Sequence, residues 1–495
     1  MFVQTANYRM NIQKLQTGIA AFDHISNGGL PLGRTTLLAG SSGSAKTLFG
    51  AQYLAMGILL FNQSGVFVTF EEQVDDIRNN LKTFGWDIDS WEKEGKWVFI
   101  DGSPKDEDSV TIGEYDLSAF RIRLERAITK SNAKRVVIDS IGSVFSQFPE
   151  MHTIRRELFK VAMTLRRLHV TSIITAERTE EYGDISRFGV EEFLTDNVII
   201  LRNVLNNEKR RRTIEILKFR GSDHVKGENP FTITPEKAIV IIPLSAMELK
   251  QRSSNVRVSS GIPKLDQMCG GGFYRDSIIL VSGATGAGKT LLVANFIDGI
   301  REKKEKCLLM AFEESREQLF RNAKGWGQDF AKLEADGLLK VVCLYPEVSS
   351  LEDHFINIQE IVEEFKPNRI AIDSLSALTR TSSEKGFREF IIGLTSFLKH
   401  QEITGMFTAT TPLLTGGSSV TEGNISTITD SIILLRYVEM KGEMQRSLTV
   451  LKMRGSKHDS AIRRFTISEK GMNIGEPFEG VTGILSGNPT ESKES

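Results

Sequence analysis

Gly283-Ala284-Thr285-Gly286-Ala287-Gly288-Lys289-Thr290 spells a complete phosphate loop, G-x-x-x-x-G-K-T. The apolar run SIILVS at 277–282 reads as a buried strand, and 290–300 carries apolar residues at helical spacing. A glycine-rich turn between strand and helix lets backbone N–H groups converge on phosphate oxygens, and the helix N-terminus adds partial positive charge. In such a loop the backbone from Gly283 to Gly288 cradles the phosphates of ATP. Lys289 reaches the β- and γ-phosphates, and Thr290 offers its hydroxyl to Mg²⁺.

The same punctuation occurs earlier in the chain. Gly40-Ser41-Ser42-Gly43-Ser44-Ala45-Lys46-Thr47 is a second loop, and GIAAFDH at 18–24 stands before it as GIPKLDQ at 261–267 stands before the first. Gly18 and Gly261 each lie 22 positions ahead of their loops. VFVTFEE at 66–72 parallels LLMAFEE at 308–314, RVVIDS at 135–140 parallels RIAIDS at 369–374, and LKFRG at 217–221 parallels LKMRG at 451–455. Internal repetition on this scale decides the architecture. Short β-branched runs alternate with longer helical patterns such as 154–168 and 387–400, which argues a parallel sheet with helices on both faces. The expected fold is therefore α/β, with two tandem RecA-like P-loop NTPase domains at 1–247 and 257–482. A polar linker at 248–256 joins them, and 483–495 follows as a short tail. Nucleotide belongs at the carboxyl ends of the strands.

Composition narrows the function classes. The 495-residue chain is 40% hydrophobic and 25% charged, with a formal net charge of −1. That balance carries no footprint of bulk nucleic-acid binding, and the run Lys209-Arg210-Arg211-Arg212 is short enough to read as a solvated turn. Cys269, Cys307 and Cys343 lack metal-ligand spacing, and an odd count fits a reducing compartment. No apolar run reaches membrane-spanning length. A soluble, cytoplasmic protein is the expectation.

Several residues carry candidate chemistry. Glu71-Glu72 and Glu313-Glu314 each close an apolar strand, where a carboxylate can align or deprotonate an attacking water or hydroxyl. Asp139 and Asp373 end hydrophobic runs as Walker B acids do, and with Thr47 and Thr290 they are the expected holders of Mg²⁺. Lys218/Arg220 and Lys452/Arg454 are spaced two apart on predicted strands, so each pair faces one side. Ring ATPases use such cations on the γ-phosphate held by a neighbour. Two differences separate the halves. Ala45 stands where the other loop has Gly288, and alanine tolerates positive φ poorly, so altered geometry is expected there. Aligning Thr195-Asp196 with Thr429-Asp430 sets Glu192-Phe193 against Ser426-Thr427, and only the second pair has hydroxyls able to accept a phosphoryl group.

Together these residues resemble the KaiC family, the double-domain ATPase and kinase of the cyanobacterial circadian clock. The likeness is most specific at QRSSNVRVSS (251–260), FEES (312–315), AIDSLSA (371–377), ISTITD (425–430) and KMRGS (452–456). The resemblance implies a homohexameric double ring with ATP between subunits, slow hydrolysis in the N-terminal tier, and reversible autophosphorylation of Ser426 and Thr427 in the C-terminal tier. It casts Glu313 as the base for transfer and Lys452 and Arg454 as charge stabilisers. The stretch 113–119 resembles the region that docks KaiB, and 483–490 the loop that controls the kinase. After that loop the sequence has only ESKES, without the tail that captures KaiA, so KaiA stimulation is not expected. A downstream signalling kinase is the expected receiver of the output. Two rival readings are a RecA- or DnaB-like motor, which single-stranded DNA would stimulate, and a nucleotide-stabilised scaffold, indifferent to Glu313→Gln.

Overall fold

The computed structural model describes residues 12–103, 117–140, 142–143, 151–187, 189, 195–206, 209–242, 253–411, 422–440, 442–485 and 490–491. The chain divides into two compact units, Met1–Ala246 and Met247–Ser495.

In the first unit the strands are β1 (Thr35–Gly40), β2 (Gly65–Thr69), β3 (Trp97–Asp101), β4 (Arg135–Asp139), β5 (Thr171–Glu177), β6 (Asn197–Asn206), β7 (Lys209–Phe219), β8 (Glu228–Thr234) and β9 (Ala238–Ile241). They form one sheet in the order β9-β8-β7-β6-β1-β5-β4-β2-β3. From β6 to β3 every neighbouring pair is parallel, and β7, β8 and β9 extend the sheet antiparallel. Strands buried on both faces require continuous apolar runs. All five residues of β2 and of β4 are buried, as those runs predicted. Helices α1 (Lys46–Phe61), α2 (Ser118–Ser131) and α3 (Met151–Arg167) accompany the sheet. Phe49, Tyr53, Leu54 and Ile58 of α1 are buried, each side chain contributing about 1.5–3 kcal/mol by leaving water.

The second unit repeats the plan. Its strands are β10 (Ile278–Gly283), β11 (Cys307–Ala311), β12 (Leu339–Cys343), β13 (Arg369–Asp373), β14 (Thr404–Thr410), β15 (Ser431–Met440), β16 (Glu443–Met453), β17 (Arg463–Ser468) and β18 (Gly471–Pro477). The order is β12-β11-β13-β14-β10-β15-β16-β17-β18, the first sheet read from its other edge. Of helices α4 (Lys289–Asp298), α5 (Leu351–Phe365) and α6 (Glu384–His400), α4 and α6 match the helical patterns at 290–300 and 387–400 within a few residues.

The paired motif ahead of each loop has a mechanical explanation. Asp23 accepts the N–H groups of Thr17 and Gly18, and Asp266 accepts that of Ser260. Gly261 has φ +79°, and a Cβ there would lie 1.9 Å from the carbonyl oxygen of Asn295 on α4. Each domain also buries one guanidinium at the start of its Walker B strand. Arg135 donates to the carbonyls of Gln16, Thr17 and Tyr53 and to the Gln63 amide oxygen. Arg369 instead forms a buried ion pair with Glu305 at 2.6 Å, besides donating to the carbonyls of Ser259, Phe296 and Gly299.

Two strand expectations are corrected. The run Lys209-Arg210-Arg211-Arg212 is not a turn but the start of β7, where Arg212 Nε donates to the Gly43 carbonyl at 3.3 Å. Arg220 and Arg454 each lie one residue beyond the strand that holds Lys218 or Lys452. Register irregularities at Val198/Ile199 and Ile432/Ile433 fall opposite those strand ends, where a bulge bends the strand and re-aims side chains.

Candidate functional site: two phosphate-loop clefts

Each loop leaves the carboxyl end of the strand between two parallel neighbours and turns directly into a helix. In domain 1, Ser42, Gly43, Ala45, Lys46, Thr47, Glu71, Glu72, Asp139 and Glu177 are among the residues lining a cleft of 440 Å³. In domain 2, Thr285, Gly286, Gly288, Lys289, Thr290, Glu313, Glu314, Asp373 and Thr410 are among those lining one of 330 Å³. Gly40, Ser41 and Ser44, like Gly283, Ala284 and Ala287, complete the loops behind these walls.

The lysines are held alike. Lys46 Nζ donates to the carbonyls of Gly40 and Ser41, both at 2.9 Å, and Lys289 Nζ to those of Gly283 and Ala284, also at 2.9 Å. Burial lowers the pKa of both ammonium groups. Asp139, Glu177, Glu71 and Glu181 oppose that shift in domain 1, and Asp373 and Glu313 oppose it in domain 2.

The paired acids sit just past their strands, which end at Thr69 and Ala311. Burial raises the pKa of Glu71, and repulsion from Glu177 and Asp139 adds to it. Glu72 and Glu314 are raised for the same leading reason, next to Asp139 and Asp373 respectively. Glu313 is engaged differently: Arg380 donates to its Oε1 at 2.8 Å and the Ser374 hydroxyl reaches its Oε2 at 3.3 Å.

The Walker B acids are braced from the neighbouring strand, Asp139 by the Thr175 hydroxyl and Asp373 by that of Thr408. Burial raises the Asp373 pKa, and hydrogen bonds from Thr408 and Thr290 oppose the rise. Among the described residues no group of three or more His, Cys, Asp or Glu is arranged to hold a metal. One carboxylate beside one hydroxyl is still a fitting partial set for Mg²⁺, which keeps waters and takes its other oxygens from substrate phosphates.

Ala45 adopts φ +72°, ψ 30°, and Gly288 φ +104°, ψ 17°. Alanine therefore follows the left-handed turn instead of altering it, at a cost of about 1–2 kcal/mol.

Ser426 and Thr427 close a 3₁₀ turn, Glu422–Thr427, at the other end of the sheet from the loop. Lys452 Nζ donates to the carbonyls of Ser426 and Thr429, both at 2.7 Å, and Arg454 donates to that of Thr427 at 2.7 Å. Burial, then the neighbouring Arg454, lowers the Lys452 pKa. Asp430 ties the segment down, accepting the Ile278 N–H and pairing with Lys399 at 2.8 Å. In domain 1, Lys218 donates to the Thr195 carbonyl at 3.3 Å and Arg220 lies 3.9 Å from Asp196. Glu192 and Phe193, like most of 113–119, lie outside the described residues.

Sequence reading missed Glu177, Arg380 and Glu181. Glu181 accepts the Ser41 hydroxyl at 2.5 Å and the Asn203 N–H at 3.0 Å, bracing the first loop from behind. The signal for Glu177 lay in aligning SIITAE (172–177) with GMFTAT (405–410), which sets Glu177 against Thr410.

A phosphate loop on the central strand of a largely parallel sheet, with a Walker B acid on a nearby strand, defines each domain as a RecA-like nucleotide-binding ATPase module. A family model for the KaiC ATPase matches the chain twice, over residues 15–246 and 258–479. The chain belongs to the KaiC family. It is 62% identical over 485 residues to the circadian clock protein KaiC3 of Synechocystis, covering 98% of this chain and 96% of that one. It is 55% identical over 479 residues to the circadian clock oscillator protein KaiC of Synechococcus elongatus, covering 97% and 92%. Against the circadian clock oscillator protein KaiC 1 of Synechocystis it is 53% identical over 482 residues, covering 97% and 93%. Among the described residues no helix is long and apolar enough to cross a membrane.

Proposed function

We propose that this chain is a timing ATPase that also phosphorylates itself: domain 1 hydrolyses ATP, and domain 2 transfers the γ-phosphoryl group to Ser426 and Thr427. Glu71, with Glu72 beside it, aligns water in the first cleft. Glu313, with Glu314 beside it, receives the proton of the acceptor hydroxyl in the second. Thr47 with Asp139, and Thr290 with Asp373, would hold Mg²⁺, which neutralises charge on the β- and γ-phosphates.

The observation that carries the reading is the placement of the acceptors. Asp430 N–H bonds to the carbonyl of Ile278, the first residue of β10, whereas the loop begins at Gly283, the last. Five residue steps of a strand span roughly 17 Å, so a domain's own nucleotide stands far from its own acceptor hydroxyls. Transfer then requires a second copy to present its loop to this end of the sheet, which supports a ring, with a homohexamer as its form. Lys452 and Arg454 stand beside the acceptors, where they can meet the γ-phosphate of that neighbour. A KaiB-like protein and a downstream signalling kinase are the proposed partners of the clock reading, each testable by co-sedimentation with the phosphorylated and unphosphorylated chain.

The test of the autokinase is phosphosite mapping by mass spectrometry after incubation with Mg-ATP and no partner. Phosphate on Ser426 and Thr427, lost in Glu313→Gln, is the expected result. An unmodified pair despite bound ATP sinks the reading. Hydrolysis stimulated by single-stranded DNA would point to a motor instead.

A further inference from the structure

The two clefts differ at one register position that bears directly on what attacks the γ-phosphate. In the first sheet Gly40 is paired with Glu177, and in the second Gly283 is paired with Thr410. Both are the last residue of the strand adjoining the loop strand, and both line their clefts. Moving outward from the first loop strand along the carboxyl edge, one meets Glu177 on β5, Asp139 on β4 and Glu71 just beyond β2. The cleft therefore has a carboxylate on either side of the Walker B acid. In domain 2 the same walk meets the Thr410 hydroxyl, Asp373 and Glu313. Threonine is shorter by a methylene and a carboxyl carbon, and its backbone N–H is tied to the Ser376 hydroxyl at 2.8 Å.

Among the described residues Glu177 forms a long ion pair, with Arg187 at 3.7 Å, and its side chain is 48% exposed. It costs the fold a fourth acid in a cleft whose lining offers a single lysine.

We propose that Glu177 is a second water-orienting carboxylate of the domain 1 cleft, and that Thr410 at the matching position leaves that place open for an incoming protein hydroxyl in domain 2. The inference rests on the reading of Glu71 as the group that aligns water. The attacking water donates one hydrogen bond to Glu71 and the other to Glu177. Its oxygen forms the bond to the γ-phosphorus, and the bond from that phosphorus to the β,γ-bridging oxygen breaks. ADP leaves with the electron pair, and the water proton passes to Glu71 and on to the phosphate released. Two acceptors fix both hydrogens of the water, and so its lone pair, in line with the leaving group. A protein hydroxyl has only one hydrogen to give and carries a carbon where the second would be. A carboxylate at 410 would collide with or repel that carbon's chain.

The experiment compares the full chain with Glu177→Thr, Glu177→Gln and Glu71→Gln, following phosphate release over a range of ATP concentrations. A fluorescent non-hydrolysable ATP analogue reports binding to each variant. Glu177→Thr is expected to lower kcat for hydrolysis by about 10²-fold with KM little changed. Glu177→Gln keeps a carbonyl acceptor of the same reach and is expected to recover most of that loss. Wild-type kcat in Glu177→Thr, or a raised KM with kcat intact, overturns the proposal and leaves Glu177 a nucleotide- or cation-binding side chain. Failure of the underlying reading looks different: there Glu71→Gln itself hydrolyses ATP at the wild-type rate.

Discussion

The two domains carry one sheet order, one loop and one Walker B geometry, and they part company at the carboxyl edge. Domain 1 surrounds Lys46 with Glu71, Glu72, Asp139 and Glu177 and leaves Glu71 without an arginine among its described contacts. Domain 2 has one acid fewer in its cleft and holds Glu313 through Arg380. Under the proposed reading, the scaffold that binds nucleotide is thus separable from the few side chains that would choose the attacking group. Duplicated domains can keep the first while changing the second.

The sharpest way to break this comparison is to remove one base at a time. Glu71→Gln is expected to cut phosphate release by about 10²–10⁴-fold while Ser426 and Thr427 are still labelled. A variant that loses both activities would show that the clefts do not divide the work. Next in size, Thr410→Glu should turn the second cleft toward water. The ratio of protein-bound to free phosphate, followed with labelled ATP, is expected to drop about tenfold. An unchanged ratio would leave the 177/410 position silent in both domains.

Smaller effects test the scaffold. Glu305→Ala strands Arg369 as a buried, uncompensated charge, and it should cost domain 2 about 3–5 kcal/mol in urea unfolding. Gln63→Ala removes only a neutral acceptor from Arg135, whose other bonds go to carbonyls, and should cost domain 1 about 1.5 kcal/mol. Equal losses would mean that the ion pair adds nothing beyond its hydrogen bonds. Last, Ala45→Gly relieves the left-handed turn and should stabilise domain 1 by roughly 0.5–1 kcal/mol, since glycine also gains freedom in the unfolded chain. Gly288→Ala should cost domain 2 about 1–2 kcal/mol through φ alone. Its added Cβ meets nothing closer than Phe465 at 3.4 Å.

Much of this was legible because it is local. The loop, the apolar strands and the helical periods are each written within twenty residues, and the repeat fixes their alignment. Alanine's poor tolerance of positive φ pointed to an altered first loop, but Ala45 keeps the left-handed turn, because the surrounding turn decides whether the backbone yields. Arg220 and Arg454 were set on strands by simple alternation, but the pairing skips Leu217 and Leu451 at bulges and then runs only to Phe219 and Met453. Glu177 was overlooked for another reason. Its meaning lies in pairing with Gly40, more than a hundred residues away, and no local pattern distinguishes a cleft acid from a solvated strand end. Arg380 likewise reaches Glu313 across a gap of 67 residues.

The distance between a domain's loop and its own Ser426-Thr427 segment also has a consequence for mixtures. Under the autokinase reading, a chain with Lys289→Ala can still receive phosphate, and a chain with Ser426→Ala and Thr427→Ala can still give it. Each is barren alone. Combined, they should restore labelling on the Lys289→Ala partner, so two defective alleles would complement each other.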